Sequence, residues 1–518
     1  SMKLKSFLVL YFLVTICSYL KGQYSYEFLL STSMDERAWY VYHDDFTNNQ
    51  IVLITRECDD DDTNCIPRRL IYTLTDTGDT IRWPFSDHRN DTMFSINTLI
   101  TEDNGDIFMA GLGWTQDSIG SLKNEFDYQI KWNSFHNVIW ESYNPRPQFL
   151  NPFSGSECFK ILKLINGNYL VGKTITTVDP ILSIKYYLLE IDKNTGDVIK
   201  ERYIEEIGGA AYLQSLTYNL DSSELILHSG PVYMAECDRN TEGAIMIDTA
   251  TFDTIRTFCY NRDDDDPLKY WCVDMPYNAR IHPSGTLILA GTGGCSTLTS
   301  DSDEDYIFIY QYDSAFELLN RQFLTNKDTI IDAGWFESLD INDNNEICVA
   351  GNHDRHLGPW NSHYSWIYLA KVDENLNLIS ERYLGGDAYY TIYSMAATSD
   401  GGIVTCGARF DYLTNDFERD AFVIKTDGQL WVGRNENSII PVHSAIVYPN
   451  PGNNTLIVRS TEYPASFLLI DVLGRCQLSQ EISGRKTNIN TSRLKNGVYI
   501  WIISKNQNIV EQGKWIKY

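Results

Sequence analysis

One short loop carries residue types that could bind a transition metal. It contains His353, Asp354, His356 and His363, and zinc accepts imidazole nitrogens and carboxylates as ligands. The spacing fits no known zinc motif, and Pro359 interrupts the loop. We therefore predict no metal site here and keep His353 and His356 as candidates for ligand contact.

A second segment, Asp340–Glu346, places oxygen ligands at alternate positions, as calcium loops do. The acidic runs 59–62, 263–266 and 301–305 add further carboxylates. The segment lacks the glycine and the full acidic set of a calcium loop, so a polar turn and solvated loops are favoured. We predict no cofactor, with calcium as the alternative. The sequence has no Gly-X-Ser-X-Gly elbow, phosphate loop or His-Glu-X-X-His motif, and no catalytic residue is predicted.

Five tryptophans lie in or at the ends of long loop segments. Exposed aromatic rings beside acids and amides suit stacking on a sugar ring or anchoring of a protein partner. Packing between repeated units is an equally good interpretation. These candidates are Trp83, Trp114, Trp271, Trp335 and Trp360.

A repeated segment organises the chain around these residues. Each copy has a turn residue, an apolar run and a small residue, as in Gly285–Gly291, which predicts a hairpin followed by a buried strand. The small-residue position is held by Thr55, Gly111, Gly172, Ser229, Gly291, Gly351 and Gly407. The turn position is held by Asn49, Gly105, Asn166, Ser223, Gly285, Asn345 and Gly401.

Each repeat predicts a four-stranded antiparallel sheet with the apolar run as its second strand. Seven such units over residues 23–435 predict a seven-bladed β-propeller with the second strands near the axis. The fold class is all-β, a seven-bladed β-propeller followed by a small Ig-like β-sandwich. A polar residue follows each third strand and is expected to cap a turn. These residues are Asp76, Asn133, Asp192, Asp248, Asp313, Asp373 and Asp427.

The predicted loops divide the propeller into two faces. The turns joining strands one to two and three to four are short, and they define the short-turn face. The connections from strand two to three and from strand four to the next sheet are long, and they define the long-loop face. Loops on a rigid scaffold commonly carry function, so the long-loop face is the predicted ligand surface.

The last repeat lacks a fourth strand after Asp427, and Tyr24–Leu30 precedes the first repeat. We predict that Tyr24–Leu30 pairs with Ala421–Lys425 and closes the ring, which would protect a sheet edge.

Charge and termini indicate an exported protein. Residues 1–22 resemble a signal peptide, with Lys3 and Lys5 before an apolar run too short to span a bilayer. The formal net charge of −27 argues against a nucleic-acid partner. No transmembrane segment is predicted.

Export permits disulfides. Cys58 with Cys65, and Cys259 with Cys272, bracket acidic loops and are predicted to be bonded. Cys348 and Cys406 lie in apolar runs and are expected to stay reduced.

Residues 445–518 follow a linker at 436–444 and carry three spaced motifs. They contain Tyr448-Pro449-Asn450-Pro451, then a turn between Asp471 and Gly474, then Gly497-Val498-Tyr499. With Gly513–Tyr518, these motifs resemble the type A sorting domain of the type IX secretion system. The resemblance implies a Bacteroidetes-type bacterium, passage through the outer membrane by that machinery, and usually removal of this domain with release or surface attachment.

The sequence therefore predicts a secreted or cell-surface propeller that binds a glycan or protein. Two alternatives are a surface polysaccharide lyase or glycosidase, and a structural component of the secretion or gliding machinery.

Overall fold

The computed structural model describes most of the strands and tight turns of this chain. The described ranges are 25–30, 35–57, 68–75, 78–83, 88–89, 92–116, 122–145, 159–177, 183–204, 213–219, 221–229, 243–259, 272–295, 304–324, 331–334, 336–353, 364–411, 419–432, 445–448, 452–460, 463–471, 474–484, 486–505 and 508–517.

The apolar runs form strands that are buried on both faces. In Ile403–Phe410, for example, all but one of the residues are buried. A strand buried on both faces needs a packed layer on each side, which neighbouring sheets provide in a propeller. The chain up to Arg434, apart from 385–387, forms one compact unit built from such sheets. The prediction of an all-β propeller is confirmed.

The first strand, β1 (Tyr26–Leu30), joins the last sheet of this unit. Sheet 1 contains β2 (Asp35–Asp44), β3 (Asn49–Glu57), β4 (Arg68–Leu74) and β5 (Thr80–Arg82). Sheet 2 contains β6 (His88–Arg89), β7 (Thr92–Thr101), β8 (Ile107–Gln116), β9 (Leu122–Trp132) and β10 (Val138–Pro145). Sheet 3 contains β11 (Phe159–Lys163), β12 (Tyr169–Thr177), β13 (Ser183–Ile191) and β14 (Val198–Ile204).

Sheet 4 contains β15 (Leu213–Tyr218), β16 (Glu224–Ser229), β17 (Gly243–Asp248) and β18 (Thr254–Cys259). Sheet 5 contains β19 (Cys272–Ile281), β20 (Leu287–Cys295), β21 (Glu304–Tyr312) and β22 (Leu318–Leu324). Sheet 6 contains β23 (Ile331–Ala333), β24 (Leu339–Ile341), β25 (Ile347–His353), β26 (Trp366–Val372) and β27 (Leu378–Gly385). Sheet 7 contains β28 (Tyr389–Ala397), β29 (Ile403–Phe410) and β30 (Asp420–Lys425), with β1 beside β30.

The described sheets form a closed ring. Each of seven buried apolar clusters is shared by two consecutive sheets, and one of them joins sheet 7 to sheet 1. In that closing cluster, Val404 and Cys406 of sheet 7 pack with Val41 and Val52 of sheet 1. The hydrophobic core therefore lies between sheets.

The N-terminal strand completes sheet 7, as predicted. It runs antiparallel to β30, with Tyr26 opposite Lys425 and Leu30 opposite Ala421. Tyr24 lies outside the described residues. The outer edge of β30 is thus covered by the start of the chain.

The turns of the short-turn face follow the predicted chemistry. Asp313 Oδ1 accepts hydrogen bonds from the N–H groups of Ala315 and Glu317, both at 2.9 Å. The same pattern recurs at Asn133, Asp192, Asp248, Asp373 and Asp427. Asp76 lies outside the described residues. The side-chain oxygens of these residues cap turns.

The turns between strands one and two use both kinds of predicted turn chemistry. In four repeats the turn residue itself has positive φ, namely Gly105, Gly285, Asn345 and Gly401. In the third repeat Asn166 Oδ1 accepts a hydrogen bond from Asn168 N at 2.9 Å, and positive φ falls on Gly167 beside it. In the first and fourth repeats positive φ falls on Asn48 and Ser222, one residue before the turn position.

Cys348 and Cys406 are buried free thiols, as predicted. Burial raises the pKa of both thiols well above the ordinary value. The backbone places Cys259 at the end of β18, and Cys272 opposite Cys295. The side chains of Cys259 and Cys272, and all of Cys58 and Cys65, lie outside the described residues, so both disulfides stay predictions.

The second compact unit comprises residues 435–518 together with 385–387. One of its sheets contains β31 (Ala445–Tyr448), β32 (Thr455–Ser460) and β35 (Lys486–Asn490). The other contains β33 (Ala465–Asp471), β34 (Cys476–Ile482), β36 (Gly497–Lys505) and β37 (Asn508–Lys517). Both sheets contribute to one core, in which Leu456 and Val458 pack with Phe467, Trp501 and Trp515. This arrangement is a small β-sandwich.

The sorting motif residues serve turns and core packing in this sandwich. Gly474 has φ 77°, and Asp471 Oδ1 accepts a hydrogen bond from Arg475 N at 3.0 Å across the same turn. Gly497 begins β36 with nearly extended backbone, φ 159°. Tyr499 is buried against Trp515. Pro449, Asn450 and Pro451 lie outside the described residues.

Candidate functional site

The first strands line the axis of the propeller, so the prediction that the second strands lie near the axis is wrong. All seven sheets contribute residues to one axial cavity of about 480 Å³. In sheets 1, 2 and 7 its walls come from Val41–His43, Thr98–Thr101 and Met395–Ser399. These are the ends of β2, β7 and β28 next to the short turns, so the cavity lies toward the short-turn face. The apolar second strands lie one position further from the axis, because there the neighbouring sheets cover both of their faces.

Five of the first strands carry a β-bulge at a corresponding position. The register shifts between Ala38 and Tyr40 in sheet 1, and between Ile392 and Ser394 in sheet 7. Sheets 2, 4 and 5 have the same irregularity. A bulge re-aims a side chain, and here it brings Trp39 and Tyr393 together, with ring centroids 4.7 Å apart.

Sheet 6 replaces this bulge by a larger interruption. Its strands β23 and β24 both pair with β25, and the chain leaves the sheet between them. Phe336 N donates to Tyr393 O at 2.8 Å, and Met395 N donates to Glu337 O at 2.9 Å. The Phe336 ring lies 5.2 Å from Trp39 and from Tyr40. We call Phe336–Ser338 the axial plug.

Two cations hold the plug, one from across the axis and one from the neighbouring sheet. Lys160 Nζ of sheet 3 lies 2.8 Å from Glu337 Oε1, and Arg280 Nη2 of sheet 5 lies 2.9 Å from Glu337 Oε2. Lys160 also donates to Phe336 O at 3.0 Å. Arg280 Nε lies 3.5 Å from Asp340 Oδ1. Sheets 3 and 6 are not neighbours, so this network crosses the axis at the inner end of the cavity.

Glu337 is ionised in this environment. Burial opposes its charge, but Lys160 and Arg280 outweigh that effect and hold the pKa of the carboxyl below its ordinary value. A carboxylate bound by two cations can hold those cations in place in the wall of the cavity. It is poorly suited to donate a proton near neutral pH.

Trp83 does not fit its predicted role as an exposed anchor. Its side chain is buried, and Nε1 donates to Thr73 Oγ1 at 2.6 Å. Its ring contacts Trp132 and His136 of sheet 2, with centroids 5.4 Å and 4.3 Å away. Trp83 therefore packs between sheets, because a large ring at the outer strand of one sheet fills the gap to the next.

Two other predicted ligand residues lie at the long-loop ends of their strands. Trp114 is half-buried near the end of β8. His353 is half-buried at the end of β25, with its ring edge-on to Trp366 and Tyr383 at 5.5 Å and 4.8 Å. Trp271, Trp335, Trp360 and His356 lie outside the described residues.

The calcium-like segment forms a polar turn. Asn342 Oδ1 accepts from Asn344 N and Glu346 N, and Glu346 pairs with Lys371 at 2.7 Å. Where the structure describes the side chains, no group of three or more His, Cys, Asp or Glu residues could hold a metal ion. The Asn342 oxygen is thus used in the turn, Asp340 Oδ2 accepts a hydrogen bond from Ala397 N at 2.9 Å, and Asp343 lines the axial cavity.

The sequence reasoning missed Lys160, Arg280 and Phe336–Glu337. Lys160 and Arg280 are charged residues within first strands, which was a usable signal. Their convergence on Glu337 was not visible, because it depends on how the ring closes.

Comparison with known proteins identifies the second unit. Residues 446–518 match the family described as "Secretion system C-terminal sorting domain". Residues 446–518 are a type IX secretion sorting domain. The protein is therefore exported through the outer membrane to the cell surface or the extracellular space, and the sorting domain implies interaction with the secretion machinery. Among the residues described, no helix is long and apolar enough to cross a membrane.

No curated protein matches this sequence. Solved structures that the chain resembles include BamB from Moraxella catarrhalis, with 7% identity, TM-score 0.34, and coverage of 77% of this chain and 98% of that one. A polysaccharide lyase of family PL25, an ulvan lyase, has 10% identity, TM-score 0.38 and coverage of 70% and 88%. PorZ of Porphyromonas gingivalis has 10% identity, TM-score 0.21 and coverage of 93% and 81%. Similarity at this level carries no information on activity, ligand or partner.

Proposed function

We propose that the exported propeller acts by binding a glycan or protein ligand at its long-loop face. Trp114 and His353 stand at the long-loop ends of strands in sheets 2 and 6, and both are half-buried. A ring that is partly packed and partly exposed loses little conformational entropy when it meets a ligand. These two residues are the described candidates for anchors.

The ion pairs that Glu337 forms at the axis are the observation that favours a binding function over a catalytic one. A glycosidase needs one carboxyl group that stays protonated and a second one at catalytic separation. Glu337 is bound by Lys160 and Arg280, and its pKa is lowered. Asp340 Oδ2 accepts a hydrogen bond from Ala397 N at 2.9 Å. The inner end of the described cavity thus favours fixed ionic contacts over proton transfer.

We also propose that removal of the sorting domain accompanies export, which leaves the propeller as the working part. Retention of residues 445–518 on the mature surface protein would instead favour a structural role in the secretion or gliding machinery. Mass spectrometry of the surface-exposed and released forms distinguishes these outcomes.

A binding screen with matched variants tests the proposed function. The chain without its signal peptide is applied to arrays of glycans and surface proteins, and affinity is measured for each hit. Trp114→Ala should weaken binding about tenfold or more, as for a removed anchor. Trp83→Ala is the control, since it should lower stability by about 3–5 kcal/mol without changing the affinity of the folded fraction. Unchanged affinity for both variants would remove Trp114 from the site.

A further inference from the structure

The short-turn face carries three exposed large apolar residues in three consecutive sheets. Phe46, Phe135 and Ile165 expose 58%, 82% and 73% of their surface. Single exposed apolar residues are common on protein surfaces, so the closeness of Phe46 to the turn that carries Phe135 is what matters. The three lie in short turns of sheets 1, 2 and 3.

Phe46 and the turn that carries Phe135 are direct neighbours. A Cβ placed on Gly105 would lie 2.9 Å from the Phe46 ring and 3.0 Å from Ser134 Cβ. The Phe46 ring of sheet 1 therefore leans over the hairpin of sheet 2, next to the residue that precedes Phe135. Phe46 and Phe135 are thus two exposed apolar residues on adjacent turns of two sheets, and we call them the apolar patch.

This patch is continuous with the mouth of the axial cavity. Asp45, the residue before Phe46, lines the cavity, and so does Asp343 in the short turn of sheet 6. The inner end holds Glu337 between two cations, but the mouth has a surplus of carboxylates. His43 Nε2 lies 3.6 Å from Asp45 Oδ1 and accepts a hydrogen bond from Ser399 N at 3.2 Å.

Further carboxylates add to the negative potential of this face. The turn-capping residues Asp192, Asp248, Asp313, Asp373 and Asp427 all lie in its short turns. A surface with this potential attracts cations and repels nucleic acids and anionic lipid surfaces. Ile100, Ile161 and Ile341 also line the cavity and are only partly buried, so they can contact the stem of a long basic side chain.

We propose that the short-turn face is a docking surface for a protein partner that presents a lysine or arginine beside apolar side chains. The cation enters the mouth of the axial cavity between Asp45 and Asp343, and the apolar side chains cover Phe46 and Phe135. The charge complementarity and the adjoining apolar patch select this partner chemistry. The surface is separate from the long-loop face and does not depend on the ligand proposed there.

A labelled synthetic peptide of alternating lysine and phenylalanine probes this surface. Fluorescence anisotropy with the chain lacking its signal peptide, at low salt, should give saturable binding. A peptide with glutamate in place of lysine, and one with serine in place of phenylalanine, should both bind more weakly. The double variant Asp45→Asn/Asp343→Asn should raise Kd about fivefold or more, as expected when two charge contacts to a cation are lost. Phe46→Ser should raise it about threefold or more.

The matched control removes two carboxylates from the outer rim of the same face. Asp197 and Glu317 are exposed in short turns, and Asp197→Asn/Glu317→Gln should change Kd less than about twofold, since their contribution is screened over distance. Equal losses for the two double variants would overturn the proposal, because they would indicate attraction to net charge alone. Absence of saturable binding would also overturn it. A dimer that sedimentation velocity detects and that disappears in Phe46→Ser would overturn it as well, because a second copy of this chain would then occupy the surface.

Discussion

Lys160 and Glu337 form a 2.8 Å ion pair across the axis of the propeller, although they belong to sheets 3 and 6. Their side chains are 9% and 16% exposed, so the pair is largely withdrawn from water. An ion pair in such a place costs desolvation free energy and is stable only when its hydrogen bonds are satisfied. Arg280 and the carbonyl of Phe336 provide those bonds.

We predict that Glu337→Gln destabilises the propeller unit by about 2–4 kcal/mol, because Lys160 would keep a buried charge without its partner. The double variant Lys160→Met/Glu337→Gln should recover part of this loss, since both charges are then removed. Urea denaturation of each variant gives the measurement. Asp197→Asn, an exposed change of the same type, should leave the midpoint unaltered, and an equal loss there would contradict the prediction.

The lowered pKa of Glu337 also predicts how stability depends on pH. A carboxyl group whose pKa is lower in the folded than in the unfolded protein contributes its full stabilisation above the unfolded value, about 4.5 here. That contribution is lost as the pH falls from there through the folded pKa. Asp35 and Asp400, held by Arg419 and Lys425, act in the same direction.

The contribution of Glu337 to the stability of the wild-type protein should therefore stay constant from neutral pH to about pH 5. Below that pH the wild-type protein should lose stability more steeply than Glu337→Gln. Thermal melts at a series of pH values test this difference in slope. Parallel curves for the two proteins would contradict it.

Gly196 allows close packing between sheets 2 and 3. It has φ 77°, and a Cβ there would lie 2.4 Å from the Trp140 ring of sheet 2. Trp140 Nε1 donates to Lys193 O of the same turn at 3.1 Å. Gly196→Ala should cost about 2–4 kcal/mol, from the left-handed backbone and from displacing the ring.

Gly401→Ala is the control for the backbone term alone. Gly401 has φ 82°, and the nearest contact of an added Cβ is 3.3 Å, to an amide nitrogen of Asn344. It should cost only about 1 kcal/mol. Equal destabilisation of the two variants would show that the contact with Trp140 is not important.

Removal of β1 should expose the edge of sheet 7. Deleting residues 25–30 leaves the β30 partners of Tyr26–Leu30 unpaired and uncovers an edge that can pair with other chains. We expect concentration-dependent aggregation in static light scattering. A chain beginning at Gln23 is the control and should stay monodisperse, and the same behaviour in both would refute the closing role of β1.

The sequence was sufficient to predict features that rest on local chemistry. The pairing of Tyr26–Leu30 with β30 followed from a missing outer strand and a surplus one. The turn caps, such as Asp313, followed from their repetition after each third strand. In both cases a residue type at a fixed position in the repeat determines the local structure.

Features that depend on how the ring of sheets closes could not be predicted from a single sequence. Apolar content indicated that the second strands are buried, but it did not distinguish the axis from the interface between sheets, so the axial position was wrong. Trp83 had the residue type of a ligand anchor, and only its contacts with Trp132 and His136 reveal packing. Glu337 meets Lys160 across 177 positions of sequence, a contact that no periodicity encodes.

The most direct test of the account measures binding and turnover together. A chain of residues 23–518 is incubated with a large molar excess of each polysaccharide or glycoprotein that it retains, and new reducing ends or unsaturated products are quantified. The account predicts saturable binding with no product beyond a control lacking protein. Product formed in excess of the protein concentration, and abolished by heat denaturation, would contradict it and establish an enzyme.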